Sequence, residues 1–410
     1  MKIRIPVRTH LPVENLRFFL ALLCISSYAL LEHVSISIPA FSPIKFILLY
    51  IAGICIVFEI SLIFRNIQKR KYFFAAALLM MVVATLLLSA YMNRKPVIGS
   101  SPVYGTVRLI LYLIELFALV IWSAQTGRAQ YVTRFLFRYL LILVAITDLL
   151  LLTGWIQFSA ENHMTFLLGT KFSVAYRHIE LLALWLMCDR ERFQYLRRKK
   201  GLMIPMTILL VMLFYMIDCM TGIVGIIGYF WAYSFADGGK RNRFQLLSNP
   251  MVFAFALLCS VSIAFVIDFV VSNPIVEFIL QDLLQRDTTL TGRVHIFNMF
   301  GRKMSDYWLF GFGFGNGNAA AKWLFRYANA QNALLHWILQ TGIFVTMSLC
   351  FWLCRIFSQL YSSRTYGRTA PIVVLVYVFV VLGTIETTFN MAFILWCALI
   401  LMYTCEVKTS

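Results

Sequence analysis

Charge is what this chain has least of. Only 13% of its 410 residues are Asp, Glu, Lys or Arg. Soluble domains average about 25%, so an ordinary water-soluble globular fold is excluded. Acidic residues are the scarcer sign: 18 Asp and Glu stand against 36 Lys and Arg, a formal net charge of +18. They form no clustered acidic metal site, and neither a metal nor a cofactor is expected. The nine cysteines show no Cys-x-x-Cys spacing, which argues against a zinc site or a disulfide framework. Cys24, Cys55, Cys188, Cys259, Cys350 and Cys397 lie within apolar runs, as small buried hydrophobes do. No internal repeat is evident. The basic N-terminus leads into an apolar run that is long enough to span and lacks a small-residue cleavage site, so no cleaved signal peptide is expected.

Apolar residues make up 61% of the chain, with mean hydropathy +0.80. The apolar runs are continuous over about 18–22 residues, the length of a membrane-spanning helix rather than an alternating barrel strand. The predicted class is all-α: a polytopic helical membrane protein of about twelve transmembrane helices. The expected spans are 15–32, 43–64, 72–92, 103–123, 135–154, 171–188, 202–219, 221–236, 251–271, 332–354, 370–385 and 390–406. Residues 1–410 form one integral membrane domain, and 272–331 is a large loop containing short helices. The seventh and eighth spans, parted only around Met220-Thr221-Gly222, form either a tight hairpin or two half-length helices.

The basic residues are dispersed over loops, which excludes a nucleic-acid-binding face. They fall on every second connection: Lys2 to Arg17, Arg65 to Lys71, Arg128 to Arg138, Arg190 to Lys200, Lys240 to Arg243, and Arg355 to Arg368. Positive loops face the cytoplasm, so both termini are expected there and Ser272–Gln331 outside. Arg94, Lys95, Arg108, Lys171, Arg177, Arg286, Arg293, Arg302, Lys303, Lys322 and Arg326 break this bias. An anionic substrate explains such charges; so does ordinary solvation of a loop.

The long loop carries the densest set of reactive groups. Thr291-Gly292-Arg293-Val294-His295 follows hydroxyls at Thr288, Thr289 and Thr291 that suit a helix start. Val294–Lys303 reads as an amphipathic helix with Ile296, Phe297, Phe300 and Met304 on one side. A helix N-terminus beside an arginine presents fixed donors and positive charge to a phosphate; an ion pair of Arg293 with Asp287 is the alternative. Gly311-Phe312-Gly313-Phe314-Gly315 lacks the preceding strand of a dinucleotide fingerprint. It is read as a flexible aromatic loop at the membrane surface. Arg177, in the outer half of the sixth span, is either functional or paired with Glu180 at i, i+3. Asp148, Asp218, Asp268 and Glu386 fall near outer helix ends, as helix-end carboxylates or as the lining of a polar cavity. Asn332 and His336 share one face where the tenth span begins, and histidine suits proton transfer near neutral pH.

Together these features resemble the O-antigen ligase and Wzy-type polysaccharide polymerase superfamily. The likeness is carried by Gly292-Arg293, the amphipathic helix after it, the Gly-aromatic-Gly stretch and the polar pair opening a span that reaches Gly342. It covers mainly Leu290–Gly342. The resemblance implies a glycosyltransferase in a bacterial cytoplasmic membrane, with its active site on the extracytoplasmic face. Its donor and acceptor are undecaprenyl-pyrophosphate-linked glycans, polymerised into capsule, O-antigen or exopolysaccharide. A chain-length regulator and a flippase are implied partners besides the bilayer. Arg293 matches the family's loop arginine, Arg177 its second arginine, and His336 or His295 the group that orients or deprotonates the acceptor. Gln331, Asn332, Lys171, Arg302 and Glu386 are expected to bind substrate. The family's His-Asn pair is Gln331-Asn332 here, and its Ser-Arg at the seventh–eighth junction is absent; the first departure favours polymerase over ligase. A ligase, or a lipid-linked oligosaccharide flippase, is the competing expectation.

Overall fold

The computed structural model describes residues 12–34, 38, 40–154, 157–158, 164–188, 196–237, 241–271, 273, 293–363 and 366–406. The expected cap at Thr288–Thr291 and the Asp287 and Arg286 positions lie outside them, as does the Arg190–Arg192 cluster. Helices are α1 (Pro12–Leu30), α2 (Phe41–Val57), α3 (Ile60–Ile67), α4 (Arg70–Met92), α5 (Val103–Gln125) and α6 (Ala129–Leu152). They continue as α7 (Lys171–Cys188), α8 (Leu196–Met216), α9 (Met220–Asp237), α10 (Arg241–Ser248) and α11 (Pro250–Val271). The last five are α12 (Arg293–Lys303), α13 (Gly317–Phe325), α14 (Ala333–Ser362), α15 (Tyr366–Leu382) and α16 (Met391–Cys405).

This is a helical multi-pass membrane protein. Among the described residues, five helices are long and apolar enough to cross a membrane, or up to seven if each bent pair counts as one crossing, and four shorter apolar helices accompany them. Large apolar side chains such as Ile54, Phe64, Leu209, Trp231 and Phe255 remain exposed on their outer surfaces. In water that would be one vast sticky patch; against lipid it is the solvated face.

The two ends of the bundle differ chemically. At one end, basic residues are tied to helix termini: Arg17 to Glu59 at 2.9 Å, Arg128 to Glu14 at 3.3 Å, and the Lys71 ammonium to the Cys405 carbonyl at 2.6 Å. The other end carries α12, α13 and the 383–390 connection, and is called here the loop end.

Several expected spans are corrected. Segment 43–64 is not one straight helix: α2 and α3 meet at 75°. Glu59 at the break pairs with Arg17, whose guanidinium lies 5.0 Å from the Phe58 ring. A second bend of 57° separates α10 from α11 at Asn249, whose side chain accepts from the Met251 amide. The span expected at 332–354 runs to Ser362, so Arg355 lies within a helix, over the Phe74 ring. The seventh and eighth spans form the tight hairpin, with Asp218 at φ 51° in its turn. Sequence periodicity gave no sign of the small antiparallel sheet of β1 (Gln157–Phe158), β2 (Met164–Phe166) and β3 (Gly169–Thr170). It is seated by Gly169, φ +102°, where a Cβ would come within 2.5 Å of the His33 side chain.

The amphipathic helix in the long loop forms as α12. Ile296, Phe297, Phe300 and Met304 are all buried, in a second core with Phe312, Phe325, Leu335 and Leu339. The Gly-Phe loop that follows is not a flexible surface lid. Helix α14 is broken at Gly342 (φ 82°, ψ 175°), and the loop closes the break. The Phe312 amide donates to the Leu339 carbonyl at 3.0 Å, and the Ile343 amide donates to the Trp308 carbonyl at 2.8 Å. The Phe310 carbonyl accepts from Ser89 and Asn93. A break inside a membrane bundle leaves backbone groups that must find protein partners; here the loop supplies them. A Cβ at Gly311 would lie 2.7 Å from the α14 backbone, and one at Gly342 would lie 2.1 Å from the Leu309 carbonyl oxygen. Only glycine permits that approach.

Candidate functional site

The site is built around a short connection at the loop end. Gly383–Asn390 links α15 to α16 and is held from three sides. The Ala333 amide donates to the Gly383 carbonyl, the Asn332 amide group to the Thr384 carbonyl, and the Trp337 indole to the Phe389 carbonyl. Arg293, first residue of α12, completes the fixing. Its Nε donates to the Ile385 carbonyl at 2.9 Å, and its Nη2 lies 2.5 Å from Glu386 Oε1. The pair is nearly closed from solvent, with side-chain exposures of 15% and 7%.

Two further residues of α7 complete the cluster. Lys171 opens the helix; its ammonium donates to the Asp218 carboxylate at 2.8 Å and carbonyl at 2.7 Å, and its field reaches Glu386. Tyr176 is buried within the field of both Glu386 and Arg293. Its hydroxyl has no hydrogen-bond partner among the described residues. Burial pushes the Glu386 carboxyl up to about 7, against the opposing pull of Arg293 and Lys171. A carboxyl titrating near neutrality, beside a fixed guanidinium, suits proton transfer next to an anion.

Arg177 lies elsewhere. Its guanidinium bonds both oxygens of Glu180, at 2.8 and 2.6 Å, and the Ala29 carbonyl at 3.5 Å, with both side chains buried. The i, i+3 pair of the sequence reading is therefore formed, and the described contacts of Arg177 are to Glu180 and Ala29 rather than to the Arg293–Glu386 pair. Adjacent helical positions point about 100° apart, so α7 offers Tyr176, not Arg177, to the Arg293–Glu386 pair. Nothing in the sequence singled out Tyr176: it is one of 19 tyrosines.

Asn332 is fully buried and structural. Its Oδ1 accepts from the Leu335 amide at 3.0 Å, capping α14, and its Nδ2 donates to the Ser260 and Thr384 carbonyls. Three bonds of that amide are used inside the fold, which gives it a capping role. Gln331 sits beside it in the left-handed region, φ 55°. His336 is half-buried against α13: a Cβ at Gly317 would touch its Cε1, and its Nδ1 has no partner among the described residues. His295 and Arg302 lie on the exposed face of α12.

Three of the carboxylates near the outer helix ends are paired. Asp148 meets His178 at 3.2 Å, Asp218 meets Lys171, and Glu386 meets Arg293; the Asp268 side chain lies outside the described set. Among the described residues, no three or more His, Cys, Asp or Glu side chains converge as metal ligands would. No family model matches this chain, and no curated protein or solved structure is detectably similar to it.

Proposed function

We propose that this protein is a membrane glycosyltransferase that polymerises undecaprenyl-pyrophosphate-linked oligosaccharides at the extracytoplasmic face of a bacterial cytoplasmic membrane. About twelve helical crossings, with both termini cytoplasmic, put the loop end outside. The observation that carries the reading is the junction of Arg293, Glu386, Lys171 and Tyr176 at the re-entry point of the long loop.

In this reading Arg293 and Lys171 receive the pyrophosphate. The acceptor sugar hydroxyl attacks the anomeric carbon, and a carbon–oxygen bond forms there. The bond from that carbon to the pyrophosphate oxygen breaks, and the polyprenyl pyrophosphate leaves with the electron pair. The hydroxyl proton passes to Glu386. Pyrophosphate is already a good leaving group, so positioning and charge neutralisation supply most of the acceleration. Tyr176 donates a hydrogen bond to the leaving oxygen. Arg177 and Glu180 hold α7 in place from behind.

Gln331 in place of a histidine supports polymerase over ligase. The transporter alternative draws on broken helices around a midplane cavity; the break at Gly342 is instead filled by Trp308–Phe312 backbone. Expression in a strain that makes lipid-linked repeat units, followed by sizing of the glycan, tests the reading. Chain growth lost in Arg293→Ala and Glu386→Gln is expected. An undiminished ladder in both variants would sink the proposal, and export of single repeats without growth would point to a flippase.

A further inference from the structure

A second cationic cluster occupies the loop end, away from Arg293. Arg108 is the sixth residue of α5 and Lys45 the fifth of α2, so both lie one to two turns inside the same end of the bundle. The Lys45 ammonium donates to the Glu32 carbonyl, and the Glu32 carboxylate accepts from the Met391 amide. Arg108 is different. Among the described residues it makes no hydrogen bond and no ion pair, and its Nε is buried without a partner. Its guanidinium instead lies 4.8 Å from the Phe46 ring and 4.9 Å from the Tyr104 ring, and those rings are 4.1 Å apart.

Two aromatic faces hold a cation in place without neutralising it. A membrane protein gains nothing by burying an unsatisfied guanidinium nitrogen. The surroundings indicate which anion this guanidinium faces. Ile44, Ile47, Tyr50, Val103, Tyr104 and Val107 are exposed around the cluster, which makes this a lipid-facing edge. Tyrosine beside a cation at a helix end is the arrangement found at headgroup level. The anion present at that depth is a lipid phosphate, and a planar guanidinium binds phosphate oxygens through paired N–H groups.

We propose that Arg108, oriented by Phe46 and Tyr104, is a binding site for the phosphate or pyrophosphate headgroup of a lipid in the leaflet at the loop end. The site does not depend on the transfer reaction at Arg293.

The test uses the full chain in nanodiscs, with bound lipid counted by native mass spectrometry. Three probes separate the sources: phosphatidylglycerol in phosphatidylcholine, undecaprenyl pyrophosphate in phosphatidylcholine, and inorganic pyrophosphate with phosphatidylcholine alone. Wild type is expected to retain one anionic lipid, in preference to the zwitterionic phosphatidylcholine, from either of the first two mixtures. Arg108→Gln is expected to weaken that binding about tenfold, the loss of one good charge-assisted phosphate contact. Arg94→Gln, which removes an exposed arginine stacked 4.7 Å from Tyr91, leaves binding unchanged. Phosphatidylglycerol alone would identify a bilayer phospholipid, and the pyrophosphate lipid alone a reaction lipid. Retention of inorganic pyrophosphate only, equal binding by wild type and Arg108→Gln, or equal losses in the Arg94 and Arg108 variants each overturns the proposal. Should Arg108→Gln fail to fold, Arg108→Lys and the Phe46→Leu, Tyr104→Leu double variant carry the same comparison. Lipid retention is read without glycan synthesis, so its failure stands apart from failure of the transferase reading.

Discussion

Arg293 and Glu386 lie 93 positions apart in sequence and 2.5 Å apart in space. One opens the helix of the long loop; the other sits in the connection between α15 and α16. Their contact fastens the loop to the bundle and places a carboxyl and a guanidinium side by side, nearly closed from solvent. The same pair therefore has a structural and a chemical role, and substitutions must separate the two.

Removing either partner leaves a charge without its counter-ion. Arg293→Ala or Glu386→Ala should each destabilise the fold by roughly 2–4 kcal/mol, as for other partly buried pairs that lose one member. The double variant should lose less than the sum. Thermal melts of the four proteins in one detergent would measure that coupling; additive losses would show that the two groups act independently.

The pH dependence follows from Glu386. Its folded-state value, about 7, lies above the ordinary 4.5, so the folded chain holds that proton more tightly than the unfolded chain. The stabilisation this provides is complete below pH 4.5 and is lost as pH rises through about 7. A base must be unprotonated to act, so chain growth should run the other way and rise through the same window. Glu386→Gln should remove that limb and lower the rate by about 10²–10⁴-fold, the usual worth of a general base. Initial rates between pH 5.5 and 8.5 check both statements, and an unchanged profile in the Gln variant would assign the proton to another group.

Arg177 and Glu180 make the converse case. Arg177→Ala leaves a buried carboxylate alone and should cost roughly 3–5 kcal/mol. Replacing both, as Arg177→Met with Glu180→Leu, should restore most of the melting temperature and leave chain growth within about threefold of wild type. A folded double variant with no chain growth would return Arg177 to the reaction centre.

Gly342→Ala tests the clamp between the loop and the broken helix. The new methyl would meet the Leu309 carbonyl at 2.1 Å, on a backbone with φ 82°. Strain and displacement together should cost roughly 3–5 kcal/mol. Size-exclusion profiles after stepwise heating would show it, with Gly201→Ala, where a Cβ meets nothing within 4 Å, as the neutral comparison.

Asn332→Ala removes a helix cap and two buried donations. A loss of about 2–3 kcal/mol is expected, with little change in the apparent Km for the lipid-linked donor. A large Km effect at normal stability would make Asn332 a substrate contact after all.

The helical membrane class and the amphipathic helix at Arg293 were legible in the residues, and the tight hairpin was one of two readings offered for the seventh and eighth spans. Each depends on local properties: apolar run length, a short polar gap, and the spacing of Ile296, Phe297, Phe300 and Met304. Glu386 was visible as a polar residue at a helix end, and the sequence offered the Arg177–Glu180 pair as one of two readings because i and i+3 are neighbours on any helix. The partner of Arg293 was not legible, because a contact across 93 positions leaves no local pattern. Nor was the choice between Tyr176 and Arg177, which depends on the rotation of α7 about its axis, set by packing against α6, α9 and α15. The Gly-Phe loop shows the same division most plainly. Its glycines announced an unusual backbone, but only the break in α14 decided that this backbone would serve as buried hydrogen-bonded structure instead of a mobile surface flap. Sequence by itself determined which segments leave water and which keep charge; tertiary structure decided which charges meet, because that depends on how helices far apart in the chain pack at one end of the bundle.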